Sequence, residues 1–305
     1  MRLFLYQLKK PQRYVTIDLS TKRNEKMLDK IYLEITNMCN LDCSFCHKTS
    51  RHGRLMSEDE FNTLTDKLRG RARFLYFHLM GEPTLHPLLP KFIELARQKG
   101  FLPMLTTNGS LIADKKDELL SCLPYKISIS LHAPEANPTF ADDSYLDSCI
   151  SFARIAAANG CIVALRLWNL GTDSDNADIL ARLHAEFPGE WGKVRGGRSQ
   201  RLEEKLFLEW GERFDWPRES APECDADADM FCYGLRDQFG VLCDGSVVPC
   251  CLDAEGSLSL GNLFKQDLDE ILNSPRARAI YDGFSRRRAI ESLCRKCGYA
   301  KRFSK

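Results

Sequence analysis

Three cysteines lie within eight residues of one another, in the order Cys39, Cys43 and Cys46. Thiolates are soft ligands that suit zinc and iron–sulfur clusters. Three thiolates on one short loop can hold three corners of a cubane iron–sulfur cluster, and they leave the fourth iron without a protein ligand. Such an open coordination position is typical of a metal centre that does chemistry. A zinc site is the alternative, with His47 as the only nearby candidate for a fourth ligand.

A second group of cysteines follows position 223 and contains seven of the 13 cysteines in the chain. Four of them could form a closed four-cysteine site, namely Cys232, Cys250, Cys294 and Cys297. A turn at Asp244-Gly245 would direct a hairpin toward the second of these. This donor set suits zinc as well as an iron–sulfur cluster, and the spacing does not choose between them.

The remaining cysteines, Cys122, Cys149 and Cys161, lie among apolar residues and are expected in the core. For the others, metal binding or catalysis is a better explanation than disulfides, because we recognise no secretion signal and expect a reducing cytoplasm. The 43 Lys and Arg residues balance 42 Asp and Glu residues. This balance excludes a strong overall field for nucleic acid or an anionic membrane. No apolar stretch approaches the roughly 18 residues of a membrane span.

The elements that must position these cysteines begin at residue 31, where apolar strands alternate with helices. Six strands are expected, at 31–35, 74–79, 101–105, 126–131, 161–167 and 205–209. Helices are expected between them, and the first begins at a capping box formed by Ser57 and Glu60. This alternation predicts an α/β protein built on a partial (β/α)6, TIM-like barrel. In such barrels the chemistry lies in the loops after the C-terminal ends of the strands.

Three regions follow from this pattern. They are an N-terminal extension (1–30), the barrel (31–210) and a small, mostly irregular C-terminal domain (211–305) that holds the second cysteine group. Within the extension, residues 14–19 alternate like a short strand. Residues 188–204 are rich in Gly, Arg, Ser and Gln, and we interpret them as a mobile loop. The arginines of that loop form either a solvated surface, which we prefer, or an anion site.

The first cysteine motif resembles the radical S-adenosylmethionine (SAM) superfamily, because Phe45 precedes its last cysteine and it follows the first strand of a partial barrel. The resemblance covers about residues 31–210. It implies a [4Fe–4S] cluster on the three cysteines, whose open iron chelates the amino and carboxylate groups of SAM. It also implies reductive cleavage of SAM to a 5′-deoxyadenosyl radical, which abstracts hydrogen from a substrate.

Four further motifs follow successive strands in the order that this superfamily shows. They are Met-Gly-Glu-Pro at 80–83, Thr-Thr-Asn-Gly at 106–109, Ser-Ile-Ser-Leu-His at 128–132 and Arg-Leu-Trp-Asn at 166–169. The resemblance implies that they bind SAM through Gly81, Glu82, Thr107, Asn108, Ser130, Arg166 and Asn169.

Two positions depart from the superfamily pattern. Met80 replaces the first glycine of a Gly-Gly-Glu-Pro motif, which contacts the SAM amino group largely through backbone carbonyls. His132 replaces a frequent aspartate, so the expected ribose contact depends on Ser130.

The C-terminal region is similar to the SPASM and twitch extensions of this superfamily, on residues 244–250, 261–263 and 272–274 and the final CxxC pair. SPASM domains hold two auxiliary [4Fe–4S] clusters, and twitch domains hold one. No cysteine follows Cys297, so the resemblance implies one auxiliary [4Fe–4S] cluster of the twitch type. The implied ligands are Cys232, Cys250, Cys294 and Cys297.

Three other cysteines compete for places in this ligand set. Cys243 and Cys251 lie close to Cys250 in the sequence, and Cys224 is the reserve for Cys232. Adjacent ligands to one cluster are sterically awkward, so only one of Cys250 and Cys251 is expected to bind.

A cluster whose four irons all have protein ligands can accept an electron but cannot bind a substrate directly. We therefore expect a radical SAM oxidoreductase or maturase that dehydrogenates an alcohol of a small molecule or modifies a peptide. Its expected partners are that substrate and a reducing protein such as a flavodoxin or ferredoxin, without a membrane or nucleic acid. The alternatives are an RNA-modifying radical SAM enzyme, a redox-neutral radical enzyme whose C-terminal site holds structural zinc, and a zinc scaffold without radical chemistry. Oxygen-sensitive clusters predict a cytoplasm with little oxygen.

No catalytic residue is assigned from the sequence. Glu209, Asp215 and Asp253 are candidate proton acceptors, although each is more readily explained as a surface carboxylate. Four aromatic residues follow the start of the sixth strand, namely Phe207, Trp210, Phe214 and Trp216. We expect them to pack between the barrel and the C-terminal region, and a substrate wall is the alternative.

Overall fold

The computed structural model describes residues 28–137, 139–140, 142–170, 176–194, 198–225 and 228–303. The strands within these residues are β1 (Leu28–Leu33), β2 (Ala72–Tyr76), β3 (Leu102–Thr107), β4 (Lys126–Ser130), β5 (Ile162–Leu170), β6 (Gly192–Lys193), β7 (Ser199–Glu203), β8 (Leu206–Glu212), β9 (Gln238–Val241), β10 (Ser246–Val248) and β11 (Gly261–Asn262). The predicted strand at 14–19 and nearly all of the predicted extension 1–30 lie outside the described residues.

The helices in the same part of the chain are α1 (Glu58–Leu68), α2 (Leu89–Gln98), α3 (Ile112–Ser121), α4 (Tyr145–Ala158), α5 (Ala177–Glu186), α6 (Leu268–Leu272), α7 (Pro275–Ser285), α8 (Ser292–Arg295) and α9 (Gly298–Lys301). A short 3-10 helix follows β2 at Pro83–Leu85. None of the helices in the described residues combines the length and the apolar character that a bilayer crossing requires.

One sheet contains all of these strands, in the order β11-β10-β9-β1-β2-β3-β4-β5-β8-β7-β6. Strands β1 to β5 and β8 pair with their neighbours in parallel. Helices α1 to α5 lie in the connections between them. The predicted α/β architecture, a partial TIM-like barrel of six parallel strands, is confirmed.

The helices of the barrel form where the sequence supplies both a cap and an apolar stripe. At the start of α1, Ser57 Oγ accepts from the Glu60 N–H at 3.2 Å, and the Glu60 carboxylate accepts from the Ser57 N–H at 2.9 Å. This capping box satisfies N–H groups that the first turn leaves free. The apolar stripe of α1 is fully buried, and Phe61 stacks on Phe92 of α2 with ring centroids 4.1 Å apart. The amphipathic pattern therefore fixes the helices against the sheet.

The prediction of a loop at 188–204 is wrong. Strands β6 and β7 pair antiparallel with each other, and β7 continues antiparallel onto β8. The Trp210 indole N–H donates to Gln200 Oε1 at 3.2 Å, which links β8 to β7 across this pair. Polar residues suit this ribbon because it lies at the edge of the sheet and is largely solvated. Residues 195–197, which include one of the arginines, lie outside the described residues.

The C-terminal region is less irregular than expected, because it contributes three strands to the main sheet. Strand β9 pairs in parallel with β1, with Ile31 opposite Phe239. A hairpin then reverses the chain at the predicted Asp244-Gly245 turn, and β10 pairs antiparallel with β9. The division at residue 211 stays a prediction, since the sheet is continuous across it.

A cavity of about 500 Å³ lies between the barrel and the C-terminal region. We call this space the lumen cavity; it is lined by inward-facing residues of β1 to β5 and β8 and by C-terminal residues that include cysteines. Its volume falls in the range that suits small-molecule sites. The fold therefore brings both cysteine-bearing regions toward one enclosed space.

Candidate active site

The loop that carries the first three cysteines leaves β1 and is held by the loop after β4. The Asp42 N–H donates to Asn137 Oδ1 at 2.8 Å, and the Ser44 N–H donates to the Ala136 carbonyl at 3.0 Å. Asn137 is itself buried. These contacts give the cysteine loop a defined shape at the C-terminal edge of the barrel.

Each sulfur of this loop accepts a hydrogen bond from an N–H group. The pairs are Asn137 Nδ2 with Cys43 Sγ at 3.1 Å, Asn108 Nδ2 with Cys39 Sγ at 3.8 Å, and the Lys48 backbone N with Cys46 Sγ at 3.4 Å. Hydrogen bonds to sulfur stabilise thiolate character and help to set the potential of an iron–sulfur cluster. The donors are therefore placed where thiolate ligands need them.

Electrostatics disfavour three free thiolates on this loop in the absence of a metal centre. Desolvation, followed by the nearby Glu82, Cys43 and Cys46 groups, raises the pKa of the Cys39 thiol to about 11. Desolvation is also the main cause of the raised pKa of Cys46. A bound iron centre would offset this repulsion between thiolates, so these residues fit a cluster held by three cysteines.

Gly81 lies against the segment that leads into the cysteine loop. Its φ is +76°, and a Cβ at this position would lie 2.5 Å from the Thr36 carbonyl oxygen and 2.8 Å from that of Met38. The Glu82 N–H donates to the same Met38 carbonyl at 2.8 Å. Only glycine allows this close approach of two backbones, which places the 80–83 motif beside the first cysteine.

Glu82, which the resemblance assigns to the SAM site, is a buried carboxylate. Its carboxylate accepts from Thr84 N and Oγ1 at 3.0 and 2.7 Å and from Asn108 N at 2.6 Å. Burial raises the pKa of Glu82, while these bonds and one from Thr107 lower it. The side chain thus ties the loop after β2 to the loop after β3.

Asn108 extends this connection to the cysteine loop. Its Nδ2 donates to Asn40 Oδ1 at 3.1 Å as well as to the Cys39 sulfur. The neighbouring Thr107 hydroxyl is buried and accepts from the Gly109 N–H at 3.1 Å. The predicted residues of the second and third motifs and the first cysteine therefore form one connected cluster.

The end of β4 joins the same region through Tyr145 of α4. The Tyr145 hydroxyl lies 2.8 Å from the carbonyl oxygens of both Asn108 and Ser130. Ser130 lines the lumen cavity. Two residues later, His132 packs against Phe45 with ring centroids 5.0 Å apart. Burial lowers the pKa of His132 to about 4, so this imidazole is neutral and does not replace the charge of an aspartate.

Arg166 and Asn169, at the end of β5, have different surroundings. The Arg166 guanidinium lies over the Trp168 ring at 4.3 Å and faces the lumen cavity. The buried Asn169 amide bonds Glu135 Oε2 at 3.0 Å and exchanges bonds with Asn176 at 2.8 and 3.1 Å. These contacts suit Asn169 for positioning the loop after β4, and SAM binding by either residue stays a prediction.

The structure gathers the four predicted C-terminal ligands at the opposite wall of the lumen cavity. Cys232 precedes β9, Cys250 follows β10, Cys294 lies in α8 and Cys297 caps α9. All four line the cavity. Burial, and then the charges of the other three thiols and Cys251, raise the pKa of Cys250 well above its usual value. The four thiols are therefore close enough for their charges to interact, and thiolates are the ligands that an iron–sulfur cluster needs.

The competing cysteines have other contacts. The Cys243 thiol donates to the Glu34 carbonyl at 2.9 Å. Cys251 packs in a separate apolar cluster and is hydrogen-bonded to the Tyr32 hydroxyl. Cys224 packs in the same apolar cluster as Cys232 and Cys294. These contacts favour Cys250 over Cys243 and Cys251, while the choice between Cys232 and Cys224 stays a prediction.

The three scattered cysteines belong to the core as expected, although to different extents. Cys149 and Cys161 are buried, and Cys122 is half-buried against the main core. In the part of the chain that the structure describes, no three His, Cys, Asp or Glu side chains are already gathered as tightly as a metal ion would hold them.

The three candidate proton acceptors differ in access to the lumen cavity. Glu209 lines it and pairs with Lys126 at 2.6 Å. The buried Asp253 carboxylate accepts from the N–H groups of Ser257 and Leu258 at 2.9 and 2.8 Å, so it caps a turn. Asp215 is exposed. Glu209 and Asp253 both line the cavity, but the Asp253 carboxylate is occupied by the backbone, so Glu209 is the better candidate of the three.

The aromatic residues divide into two pairs. Phe207 and Trp210 lie in β8 between β5 and β7, rather than between the barrel and the C-terminal region as expected. Phe214 and Trp216 line the lumen cavity, and Phe214 also contacts Tyr299 of α9 with ring centroids 5.3 Å apart. The preferred interpretation as packing alone is thus incomplete for the second pair.

Sequence analysis missed several residues that line the lumen cavity. Among them are Lys30 and Tyr32 of β1, and Tyr76 and His78 at the end of β2. Their signal was the alternation of these polar or aromatic residues with fully buried Ile31, Leu33, Leu75 and Phe77. It also missed Asn137, for which no local pattern existed.

Comparison with known families identifies both halves of the site. The Radical SAM superfamily model matches residues 33–156. A model described as an iron–sulfur cluster-binding domain, SPASM, matches residues 232–298. The second match begins at Cys232 and ends one residue after Cys297.

Curated relatives share only part of their length with this chain. A tungsten-containing aldehyde ferredoxin oxidoreductase cofactor-modifying protein of Pyrococcus furiosus is 34% identical over 90 residues, which are 28% of this chain and 25% of the relative. A "Probable GTP 3′,8-cyclase" of Methanococcus maripaludis is 36% identical over 104 residues, which are 32% of this chain and 35% of the relative. The chain thus spans about a quarter to a third of the length of these curated relatives.

Solved structures match over most of the chain and show the fold. BtrN in complex with AdoMet and 2-DOIA has a TM-score of 0.53 at 16% identity, covering 89% of this chain and 93% of that one. The anSMEcpe protein with bound AdoMet and Kp18Cys peptide has a TM-score of 0.57 at 18% identity, covering 90% of each chain. Together with the two family matches, the cysteine loop and the partial barrel, they identify this chain as a member of the radical SAM superfamily with a C-terminal domain of the SPASM/twitch kind.

Proposed function

We propose that this enzyme is a radical SAM oxidoreductase or maturase that oxidises a small molecule or modifies a peptide within the lumen cavity. The observation that carries the proposal is that Ser130 at the barrel mouth and the four C-terminal cysteines line the same cavity. A molecule bound there would be in reach of Ser130, which would bind SAM in this proposal, and of the four auxiliary cysteines. The known structures that share this fold hold AdoMet with 2-DOIA or with a peptide, which supports both substrate classes.

In this proposal the residues of the barrel edge bind and orient the cofactors. Cys39, Cys43 and Cys46 hold the SAM-binding [4Fe–4S] cluster, and the connected motif residues Gly81, Glu82, Thr107, Asn108 and Ser130 form the SAM site. The resemblance adds Arg166 and Asn169 to that site. Cys232, Cys250, Cys294 and Cys297 hold one auxiliary [4Fe–4S] cluster.

Oxidation of an alcohol to a carbonyl removes one hydrogen atom, one electron and one proton. When bound, SAM and the first cluster supply the radical that takes the hydrogen atom, and the auxiliary cluster supplies an acceptor for the electron. Glu209 is placed to take the proton, because its carboxylate lines the cavity. Its pairing with Lys126 at 2.6 Å fixes the carboxylate in position. The electron that starts each turnover comes from a reducing protein such as a flavodoxin or ferredoxin.

The test is to count iron, acid-labile sulfide and zinc in protein reconstituted without oxygen. A variant with Cys39, Cys43 and Cys46 all replaced by alanine is the comparison. Two clusters predict about eight irons in the natural protein and about four in the variant. About four irons that fall to none, with one zinc retained in both proteins, would overturn the oxidative proposal. The C-terminal site would then be structural.

A further inference from the structure

The lining of the lumen cavity is mostly apolar but contains a group of polar and charged side chains, although the inward positions of a closed barrel are usually filled by branched apolar residues. This group includes Lys30 and Tyr32 of β1, Tyr76 of β2, His78 directly after β2, and Arg166 of β5. The residues that alternate with them along the chain are buried and apolar. A mostly apolar cavity with a few polar groups is typical of a binding site.

Lys30 is a cation without a carboxylate partner among the described residues. Its Nζ lies 5.8 Å from the ring centroids of both Tyr32 and Tyr76. Lys30 lines the lumen cavity together with His78. A bound anion would pair with this half-buried ammonium group.

Arg166 adds a second positive charge to the same space. Its Nε is buried, makes no hydrogen bond to any described residue, and lies 4.0 Å from Glu209 Oε2. The other oxygen of that carboxylate is 2.6 Å from Lys126 Nζ. Lys126 and Arg166 thus share the Glu209 carboxylate, and no carboxylate among the described residues is left for Lys30, because the Asp253 carboxylate is occupied by backbone N–H groups and Asp29 is exposed to solvent.

His78 completes the set with an unpartnered hydrogen-bonding atom. Its Nδ1 is buried and has no hydrogen-bond partner among the described residues. Burial and the charges of Arg166 and Lys30 lower the pKa of this imidazole to about 3, so it is neutral and one of its nitrogens carries a proton. Buried polar atoms in native proteins are nearly always hydrogen-bonded. Two residues with such atoms, His78 and Arg166, line the same cavity, so a polar molecule bound there could supply the missing partners.

We propose that Lys30, His78 and Arg166 form an oxyanion site, and that the substrate is a small molecule that carries a carboxylate or phosphate group. This inference rests on the proposed function, because it names the substrate class for the same cavity. Two cations and one neutral imidazole match the charge and hydrogen-bonding needs of an oxyanion. It gives Arg166 a partner different from the SAM that the resemblance implies.

The experiment measures anion binding to the fully reconstituted protein by isothermal titration. SAM is present and no reductant is added, so that the SAM site is filled and no turnover occurs. The probes are inorganic pyrophosphate and malonate, which distinguish a phosphate from a carboxylate. The natural protein is expected to bind at least one probe. Lys30→Met is expected to weaken that affinity about tenfold or more. The matched control is Lys91→Met, which removes the same charge from a surface pair with Glu58.

Iron content and SAM affinity, measured on the same samples, separate the two proposals. If the proposed function fails, the natural protein contains about four irons and one zinc instead of about eight irons. If only the oxyanion site is wrong, the natural protein keeps about eight irons and its SAM affinity, and either no probe binds or Lys30→Met binds the probe as well as Lys91→Met does. Arg166→Gln is the second variant, and it must lower the affinity for the same probe about tenfold. Reduced SAM affinity in Arg166→Gln with unchanged probe affinity would return Arg166 to the SAM site and overturn this assignment.

Discussion

The two cysteine groups of this protein have different surroundings, although Cys232 of the second group also accepts a hydrogen bond, from the Gly234 N–H at 3.4 Å. The first group lies on a partly exposed loop, and each of its sulfurs accepts a hydrogen bond from an amide N–H. The second group packs in an apolar cluster with residues such as Met230, Ile280 and Phe284. Polar, open surroundings suit a cluster that must bind a cofactor, whereas apolar, closed surroundings suit one that only exchanges electrons. The difference shows that the role of a cluster can be argued from the residues around its ligands, even when both clusters are held by cysteines.

The largest effect is expected from replacing Cys250, and replacement of the adjacent Cys251 is the comparison. Cys250→Ala is expected to reduce total iron from about eight to about four and to abolish substrate oxidation, because the closed ligand set loses one member. Cys251→Ala is the matched control, since its thiol bonds to Tyr32 instead. Iron analysis of both variants checks this, and the comparison fails if Cys251→Ala loses the iron.

The next effect concerns the proton that leaves the substrate. Glu209→Gln is expected to slow product formation by about 10²- to 10⁴-fold, because an amide cannot accept the proton. Formation of 5′-deoxyadenosine is expected to continue, because the first cysteine group is unchanged. Both products are measured by chromatography beside Glu203→Gln, a strand-β7 carboxylate that pairs with Arg154. Equal loss of both products in Glu209→Gln would indicate a structural role and remove the assignment.

A smaller effect is expected at Gly81, where the 80–83 motif packs against the segment that leads into the first cysteine group. Gly81→Ala adds a Cβ that would lie 2.5 Å from the Thr36 carbonyl oxygen. Gly70 has the same φ of +76° but no atom within 4 Å of an added Cβ, so Gly70→Ala reports the backbone strain alone. That strain costs about 1–2 kcal/mol. We expect Gly81→Ala to lower the free energy of unfolding by about 1–3 kcal/mol more than the control. Urea denaturation of both variants measures the difference, and equal losses would refute the close approach.

The smallest effect is expected from removing one hydrogen bond that the first cysteine group accepts. Asn137→Asp keeps an acceptor for the Asp42 N–H but replaces the N–H donor to the Cys43 sulfur with negative charge. A donor to sulfur stabilises the reduced, more negative cluster, so the variant is expected to lower the midpoint potential of the first cluster only. Redox titration followed by electron paramagnetic resonance measures both potentials. The control is Asn159→Asp, an exposed residue at the end of α4. A shift of the second potential instead would contradict the assignment.

The barrel could be predicted from the sequence because its signals are local. Alternating strands and helices, the Ser57 cap and the cysteine spacing all lie within short windows. The pairing of Ile31 with Phe239 could not be predicted, because it joins residues at opposite ends of the chain and leaves no local pattern. The same reason hid the bond from Asn137 to Cys43, which are 94 positions apart.

The lumen residues show a different limit. The alternation of Lys30 and Tyr32 with buried apolar neighbours predicts which residues share a face of β1. It does not say which face turns inward, because that depends on the curvature of the whole sheet. The position of Lys30 indicates a binding role only once the fold brings His78 and Arg166 near it.

The parallel pairing of β9 with β1 affects how the chain can be synthesised. Among the described residues, the outer edge of β1 is covered only by β9, which the ribosome completes about 200 residues later. At a few to twenty residues per second, that edge stays open for roughly ten seconds or more during translation. An uncovered edge strand is a template for pairing with other chains. A nascent or truncated chain that ends before β9 is therefore expected to aggregate, so the C-terminal region acts as the last step of barrel folding as well as the holder of the second cysteine group.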